Sequence, residues 1–349
     1  MSAALHVDLD IFATNLARVR ETVAPSEPML VVKNDAYGHG LVPIVRRAAG
    51  EGVRWFGAFD VGTGREVRRE LGEAARIFVW MTATADDAVD AVRDDLDIGV
   101  GDAASLEDVA EAARTLAHRA RVHLKIDTGL HRNGVRPEEW PAFVARVAAF
   151  VEEGIVEVVG VWSHIAEASD ADDDDARRIF DAAVAVAEQA GLRPSHRHLA
   201  ASAASFARAE FRYDLVRIGA FAYGVRSAGG IDERDLGVRL ISTLRAEVTS
   251  VEDDGAHIGL GALDGLPSTL GGRVEVMTPV GPRRLESVGE DSRISGWASA
   301  SIGDAVTVFG GADNEKSPTD LAEAIGSVGE EILVRLSPLI PRRYEGRVD

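Results

Sequence analysis

Short β-branched or aromatic runs recur through the first two thirds of the chain, at 29–33, 55–59, 77–81, 96–100, 122–126, 156–163, 195–199 and 215–218. Amphipathic segments lie between most of them. In one, Leu106, Val109, Ala110, Ala113 and Leu116 fall at helical spacing. It opens on Ser105-Leu106-Glu107-Asp108, where the serine oxygen is placed to cap a first turn. A second helix is expected over about 175–189, stopped by Gly191. Eight strands alternating with helices over about 220 residues predict the α/β class and a (β/α)8 TIM barrel. A doubly wound open sheet is the competing arrangement. No GxGxxG stands at the first strand–helix junction, which weakens the dinucleotide-binding form of that competitor.

The pattern changes after about Ala228. Apolar and polar positions alternate over 240–251, 257–260, 274–277 and 305–309, with glycines between. This predicts a smaller, mostly β domain. A short helix over 319–325 ends at Gly326. The expected domains are a barrel over residues 8–228 and a C-terminal β domain over 229–349, with residues 1–7 available to pair with its sheet.

Composition narrows the chemistry. A formal charge of −19 disfavours nucleic acid and anionic membrane as partners. An anionic ligand would need local cations or helix N-termini to overcome that field. The chain has no cysteine, which excludes disulfides, thiolate metal sites and a cysteine nucleophile. The acidic run at 169–175 reads as a solvated loop, and no metal is expected. No apolar run reaches the ~18 residues of a membrane span, and the first ten residues lack a secretory pattern. A cytoplasmic location is expected.

Lysine usage is the sharpest compositional signal. The chain has three lysines against 35 arginines. Lys33 stands in Val32-Lys33-Asn34-Asp35-Ala36-Tyr37-Gly38-His39-Gly40, and Lys125 in Leu124-Lys125-Ile126-Asp127-Thr128-Gly129. Lys316 lies in a polar stretch. Where arginine serves as the general cation, a retained lysine points to amine chemistry such as a Schiff base with an aldehyde. In a barrel, such chemistry gathers at the C-terminal ends of the strands. Lys33 ends the first strand, Lys125 and Asp127 the fifth; His164 follows the sixth and Ser202 the seventh; Arg217 lies in the eighth, ahead of Gly219. Singly each has a structural reading: a packed histidine, a core-paired arginine, a helix-capping serine. Together they land on one rim.

On these motifs, with Asp214-Leu215-Val216-Arg217-Ile218-Gly219 and Tyr223-Gly224, the sequence resembles the alanine racemase family of pyridoxal 5′-phosphate enzymes. Gly303–Gly310 and Glu331–Pro338 extend the resemblance into the C-terminal domain. It implies interconversion of L- and D-amino acids, alanine first, through a Lys33 aldimine and a planar carbanion. Lys33 would carry one of two protons, and Arg132 would lie near the substrate carboxylate. Tyr37, Ser202, Gly219 and Ala220 would bind the cofactor phosphate. His164 would stack beside the ring and Arg217 would face its nitrogen. Lys125 matches a position carbamylated in many relatives; unmodified, it would sit as a cation beside Arg132. The expectation is therefore a modified or pKa-depressed amine. A homodimer is implied.

The sequence departs from the family at one functional position. The resemblance places a tyrosine, the second proton carrier donated by the partner subunit, in Gly-Tyr-Ala-Asp-Gly. This chain reads Gly261-Ala262-Leu263-Asp264-Gly265. The segment before it is shortened, Asp35 replaces an asparagine, and a later Met-Asp motif is missing. Impaired racemisation is expected, with His257 as a substitute acid to consider. The alternatives are one-face chemistry on another amino acid, a non-catalytic cofactor-binding protein, or a heteromer whose partner supplies the tyrosine.

Overall fold

The computed structural model describes residues 3–167 and 169–347. The chain packs as two compact units: residues 19–33 with 52–219, and residues 1–18 with 34–51 and 220–349.

The first unit holds an eight-stranded parallel sheet. Its spatial order is His196–His198, Val156–Trp162, Ala120–Lys125, Asp97–Val100, Arg76–Met81, Trp55–Asp60, Glu27–Val31 and Leu215–Ile218. The two end strands meet through Asp214 N–H to Arg197 O and Arg217 N–H to Ala200 O, both 3.1 Å, so the sheet nearly closes on itself. This is the expected TIM barrel. Met29, Trp55, Phe78, Val159, Trp162 and Leu215 pack together as its core. Strands buried on both faces read as continuous apolar runs, and all eight lie within two residues of their predicted starts.

Two helix starts differ from the sequence reading. The helix Ala103–Leu116 is capped by Asp102, whose carboxylate accepts the Ser105 N–H at 2.8 Å; Ser105 itself lies inside the first turn. The second helix begins at Asp170, capped by Ser169, and runs to Gln189. The acidic run is therefore helical and not a loop, with Asp170, Asp172 and Asp173 in the first turn. Carboxylates there are stabilised by the unsatisfied N–H groups and the positive end of the dipole.

The second unit contains another eight-stranded sheet, ordered Gly255–Ile258, Ser292–Ser295, Gly281–Val288, Glu275–Thr278, Ala305–Phe309, Ser242–Val251, Ala3–Asp8 and Arg342–Glu345. All neighbours are antiparallel except Ala3–Asp8 with Arg342–Glu345. The N-terminal strand runs to Asp8, whose carboxylate accepts the Asp10 and Ile11 N–H groups at 2.9 Å and opens the helix Leu9–Val23. Among the described residues no helix is long and apolar enough to cross a membrane.

Candidate active site

Lys33 comes two residues after the strand Glu27–Val31 and opens the segment Lys33–Gly38. The chain then makes a turn of unusual hand. Asn34, Asp35, Ala36 and Tyr37 all have φ between 53 and 56°. Left-handed conformation costs an L-residue roughly 1–2 kcal/mol, so such a run persists only where its surroundings over-determine it. Those surroundings are visible in the second unit. Gly40 N–H donates to Asp35 O at 3.0 Å, and Leu41 N–H to the Asp35 carboxylate at 2.7 Å. His39 Nδ1 lies 2.9 Å from Ala36 O, and the Tyr344 hydroxyl donates to His39 O at 3.0 Å. Gly40 has φ 94°, and a Cβ there would overlap the Tyr344 hydroxyl. Asp35 is thus a carboxylate at the N-terminus of the helix Leu41–Gly50, a favourable place for negative charge.

In the barrel unit the candidate cations converge on one histidine. Burial pushes the His164 imidazole down to about 3, and Arg217, Arg132, Lys125 and Lys33 push the same way. Burial, then Arg217 and Arg132, push the Lys125 amine down to about 7, against a smaller opposing effect of Asp127. Lys125 Nζ sits 4.3 Å from the Trp162 ring centroid and donates to Asn133 Oδ1. Arg217 is buried; desolvation, offset in part by Glu167, pulls its guanidinium down to about 9. Its two terminal nitrogens donate to Ser163 O, Leu199 O and His198 O at 2.8–3.1 Å, and to Nδ1 of His198 and of His164, both at 3.1 Å. Among the described residues no acceptor bonds its Nε–H.

Ser202 opens the short helix Ser202–Ala207, and its hydroxyl accepts the Gly219 N–H at 3.1 Å. Sequence reasoning missed Glu167, whose carboxylate accepts the Ala204 N–H of that helix at 3.0 Å. Arg132 lines an open cleft with Asp127, His131 and Asn133. Asp127 does not reach for the lysine: it accepts the Gly129 and His131 N–H groups at 3.0 and 3.1 Å. The structure thus brings Lys33, Lys125, Arg132 and Arg217 within electrostatic range of His164, and pairs Ser202 with Gly219. Tyr37 and Ala220 belong to the other unit. Tyr37 is buried there, its ring 4.9 Å from that of Tyr223.

The loop over residues 261–265, where the resemblance would place a tyrosine, is held by its own hydrogen bonds. Gly261 N–H donates to the Asp264 carboxylate at 2.9 Å, Ala262 N–H to Gly289 O at 2.7 Å, and Gly265 has φ 96°. Ala262 is exposed and offers only a methyl group. The preceding connection is a tight hairpin closed by Glu252 N–H to Gly255 O at 2.8 Å. His257 is held between carboxylates, with Nδ1 3.0 Å from Asp291 and Nε2 3.5 Å from Glu252.

Comparison with known proteins agrees with this geometry. The family description "Alanine racemase, N-terminal domain" matches residues 7–227. An alanine racemase of Beutenbergia cavernae is 37% identical, covering 98% of each chain. One of Thermobifida fusca is 33% identical, covering 99% of each. The Beutenbergia alignment spans 379 positions, more than the 349 residues here, so this chain lacks segments that its relative carries. Among solved structures, the alanine racemase from D-cycloserine-producing Streptomyces lavendulae superposes with a TM-score of 0.95 at 32% identity, over 99% of this chain and 98% of that one.

Proposed function

The chain belongs to the alanine racemase family, and on that premise we propose that it binds pyridoxal 5′-phosphate through Lys33 and labilises the α-proton of a small amino acid, alanine first. The observation that carries this reading is the convergence of Lys33, Lys125, Arg132 and Arg217 on His164 within a chain of net charge −19. A cluster of like charges is costly unless anions complete it, and a phosphate-bearing cofactor and a substrate carboxylate are such anions.

The residues fit the cofactor. Arg217 retains an Nε–H donor for a ring nitrogen, and as a donor-only group it would leave that nitrogen unprotonated. From the barrel unit, Ser202 and the backbone at Gly219 would hold the phosphate. His164, kept neutral by its surroundings, would lie against the ring. When bound, the cofactor would withdraw electrons from the substrate Cα. Lys33 Nζ would then move the α-proton on one face, and Arg132 would hold the substrate carboxylate. Lys125, its amine brought down to about 7 and so partly neutral at that pH, would add carbon dioxide as a carbamate with release of a proton, turning a repulsive neighbour of Arg132 into an attractive one. A homodimer in the cytoplasm is the accompanying reading.

Ala262 limits the second half of the reaction. Racemisation needs a proton donor on each face, and a methyl group has none to give. His257, engaged by Asp291 and Glu252, is a poor substitute. Loss of one acid–base group costs roughly 10²- to 10⁴-fold, so exchange with retention outpaces inversion. The test is deuterium wash-in at Cα of L-alanine and, separately, of D-alanine, followed alongside their interconversion. Rapid exchange of one enantiomer with slow inversion supports the reading; equal rates of exchange and inversion remove the impairment, and no exchange of either enantiomer removes the activity.

A further inference from the structure

Arg217 is connected to a carboxylate at the far end of the barrel strands by two imidazoles in series. Its Nη1 lies 3.1 Å from His198 Nδ1. His198 Nε2 lies 2.9 Å from His123 Nδ1, and His123 Nε2 is 3.5 Å from Asp97 Oδ1. His198, His123 and Asp97 are 0% exposed and Arg217 is 5% exposed. Asp97 opens its strand while Arg217 lies near the end of its own, so the line runs from the N-terminal rim to the catalytic one.

The proton positions follow from the two ends. A guanidinium only donates, so His198 Nδ1 accepts. A neutral His198 then carries its proton on Nε2 and donates it to His123 Nδ1. His123 in turn carries its proton on Nε2, facing Asp97. Both rings are kept neutral, chiefly by burial. Burial alone would raise Asp97, but contacts from His123 and Arg76 outweigh it and hold the carboxylate ionised. The surroundings exclude water: Trp162 stacks on His198 at 5.6 Å, and Phe78 packs on both imidazoles at 4.8 and 5.3 Å. Gly160 makes room, since a Cβ there would overlap His123 Nδ1. At 3.5 Å the last link is a charge–dipole contact, and His123 Nε2 has no hydrogen-bond partner.

We propose that Asp97 and His123 are positioning residues: with His198 they form a one-directional relay that fixes the Arg217 guanidinium so that its Nε–H faces the cofactor ring. The inference rests on the reading that Arg217 meets that ring. It adds two residues remote from the cofactor and a definite tautomer for each histidine.

Nitrogen-15 NMR of histidine-labelled protein tests it directly, with His123→Gln and His198→Gln supplying assignments. Both rings of the wild type are expected to be protonated at Nε2 and bare at Nδ1, with and without cofactor. A proton on His198 Nδ1 overturns the proposal. His123→Phe leaves the His198 Nε2–H without an acceptor. In that variant His198 is expected to keep its proton on Nε2, since Arg217 still donates to Nδ1, but to lose the hydrogen-bonded shift of that nitrogen, and the pyridoxal phosphate dissociation constant is expected to rise about tenfold, the scale of one hydrogen bond to a charged group. His123→Gln, which can accept from His198 and donate toward Asp97, is expected to restore most of the affinity. A folded His123→Phe protein with unchanged His198 shifts and unchanged affinity also overturns it. If His123→Phe does not fold, the wild-type tautomers still decide. Those tautomers are read without cofactor, whereas cofactor binding is read from visible absorbance lost in Lys33→Ala, so failure of the cofactor reading is seen separately.

Discussion

The amine of Lys125 rests 4.3 Å from the ring centroid of Trp162, with guanidinium groups and no matching carboxylate dominating its electrostatics. Aromatic contact offers a cation some attraction, but burial and the Arg217 and Arg132 charges prevail and bring the amine down to about 7. A largely neutral amine at ordinary pH is a nucleophile. Carbon-13 bicarbonate should therefore give a carbamate resonance that vanishes in Lys125→Ala. Absence of that resonance in the wild type would leave Lys125 as a simple amine.

The same depression has a stability consequence. The unfolded lysine titrates near 10.5 and the folded one near 7. Between those values the unfolded state binds the extra proton, so stability rises with pH across that window. Urea unfolding of cofactor-free protein in carbon-dioxide-free buffer should show this rise, and Lys125→Met should flatten it.

Restoring the second acid is the simplest gain-of-function test. Ala262→Tyr, in a loop held by its own hydrogen bonds, should speed L-to-D conversion by about 10²-fold or more while leaving nearly unchanged the α-proton exchange of the enantiomer that Lys33 already serves. An unaltered inversion rate would mean that a hydroxyl at position 262 alone does not supply the second acid.

Gly160→Ala should be costly although it adds a single methyl group. That methyl would overlap His123 Nδ1, and overpacking of this kind costs about 1–3 kcal/mol. The midpoint of urea unfolding should fall accordingly. Because the displaced ring contacts His198, cofactor affinity should fall with it.

The barrel was legible because most of its strands are buried on both faces and read as apolar runs. Strands Gly281–Val288 and Ser292–Ser295 were missed for the opposite reason: in the first, Leu285 alone is fully buried amid proline, arginines and glutamate. The rim residues were legible as motif positions at strand ends. The relay behind them was not, because isolated histidines in a strand usually read as packing. One signal was available: His123 lies two residues before Lys125 on one strand, so both side chains share a face. The left-handed turn after Lys33 had no local signature, since none of Asn34, Asp35, Ala36 and Tyr37 is glycine. Its conformation is set by tertiary contacts from Tyr344 and by the Asp35 carboxylate at the following helix.

With three lysines in the chain, the attachment point of the cofactor can be read without ambiguity. Reconstitution with pyridoxal 5′-phosphate, borohydride reduction and peptide mapping should place the pyridoxyl group on Lys33 alone. A label on Lys125 or Lys316, or no label at all, would contradict the account.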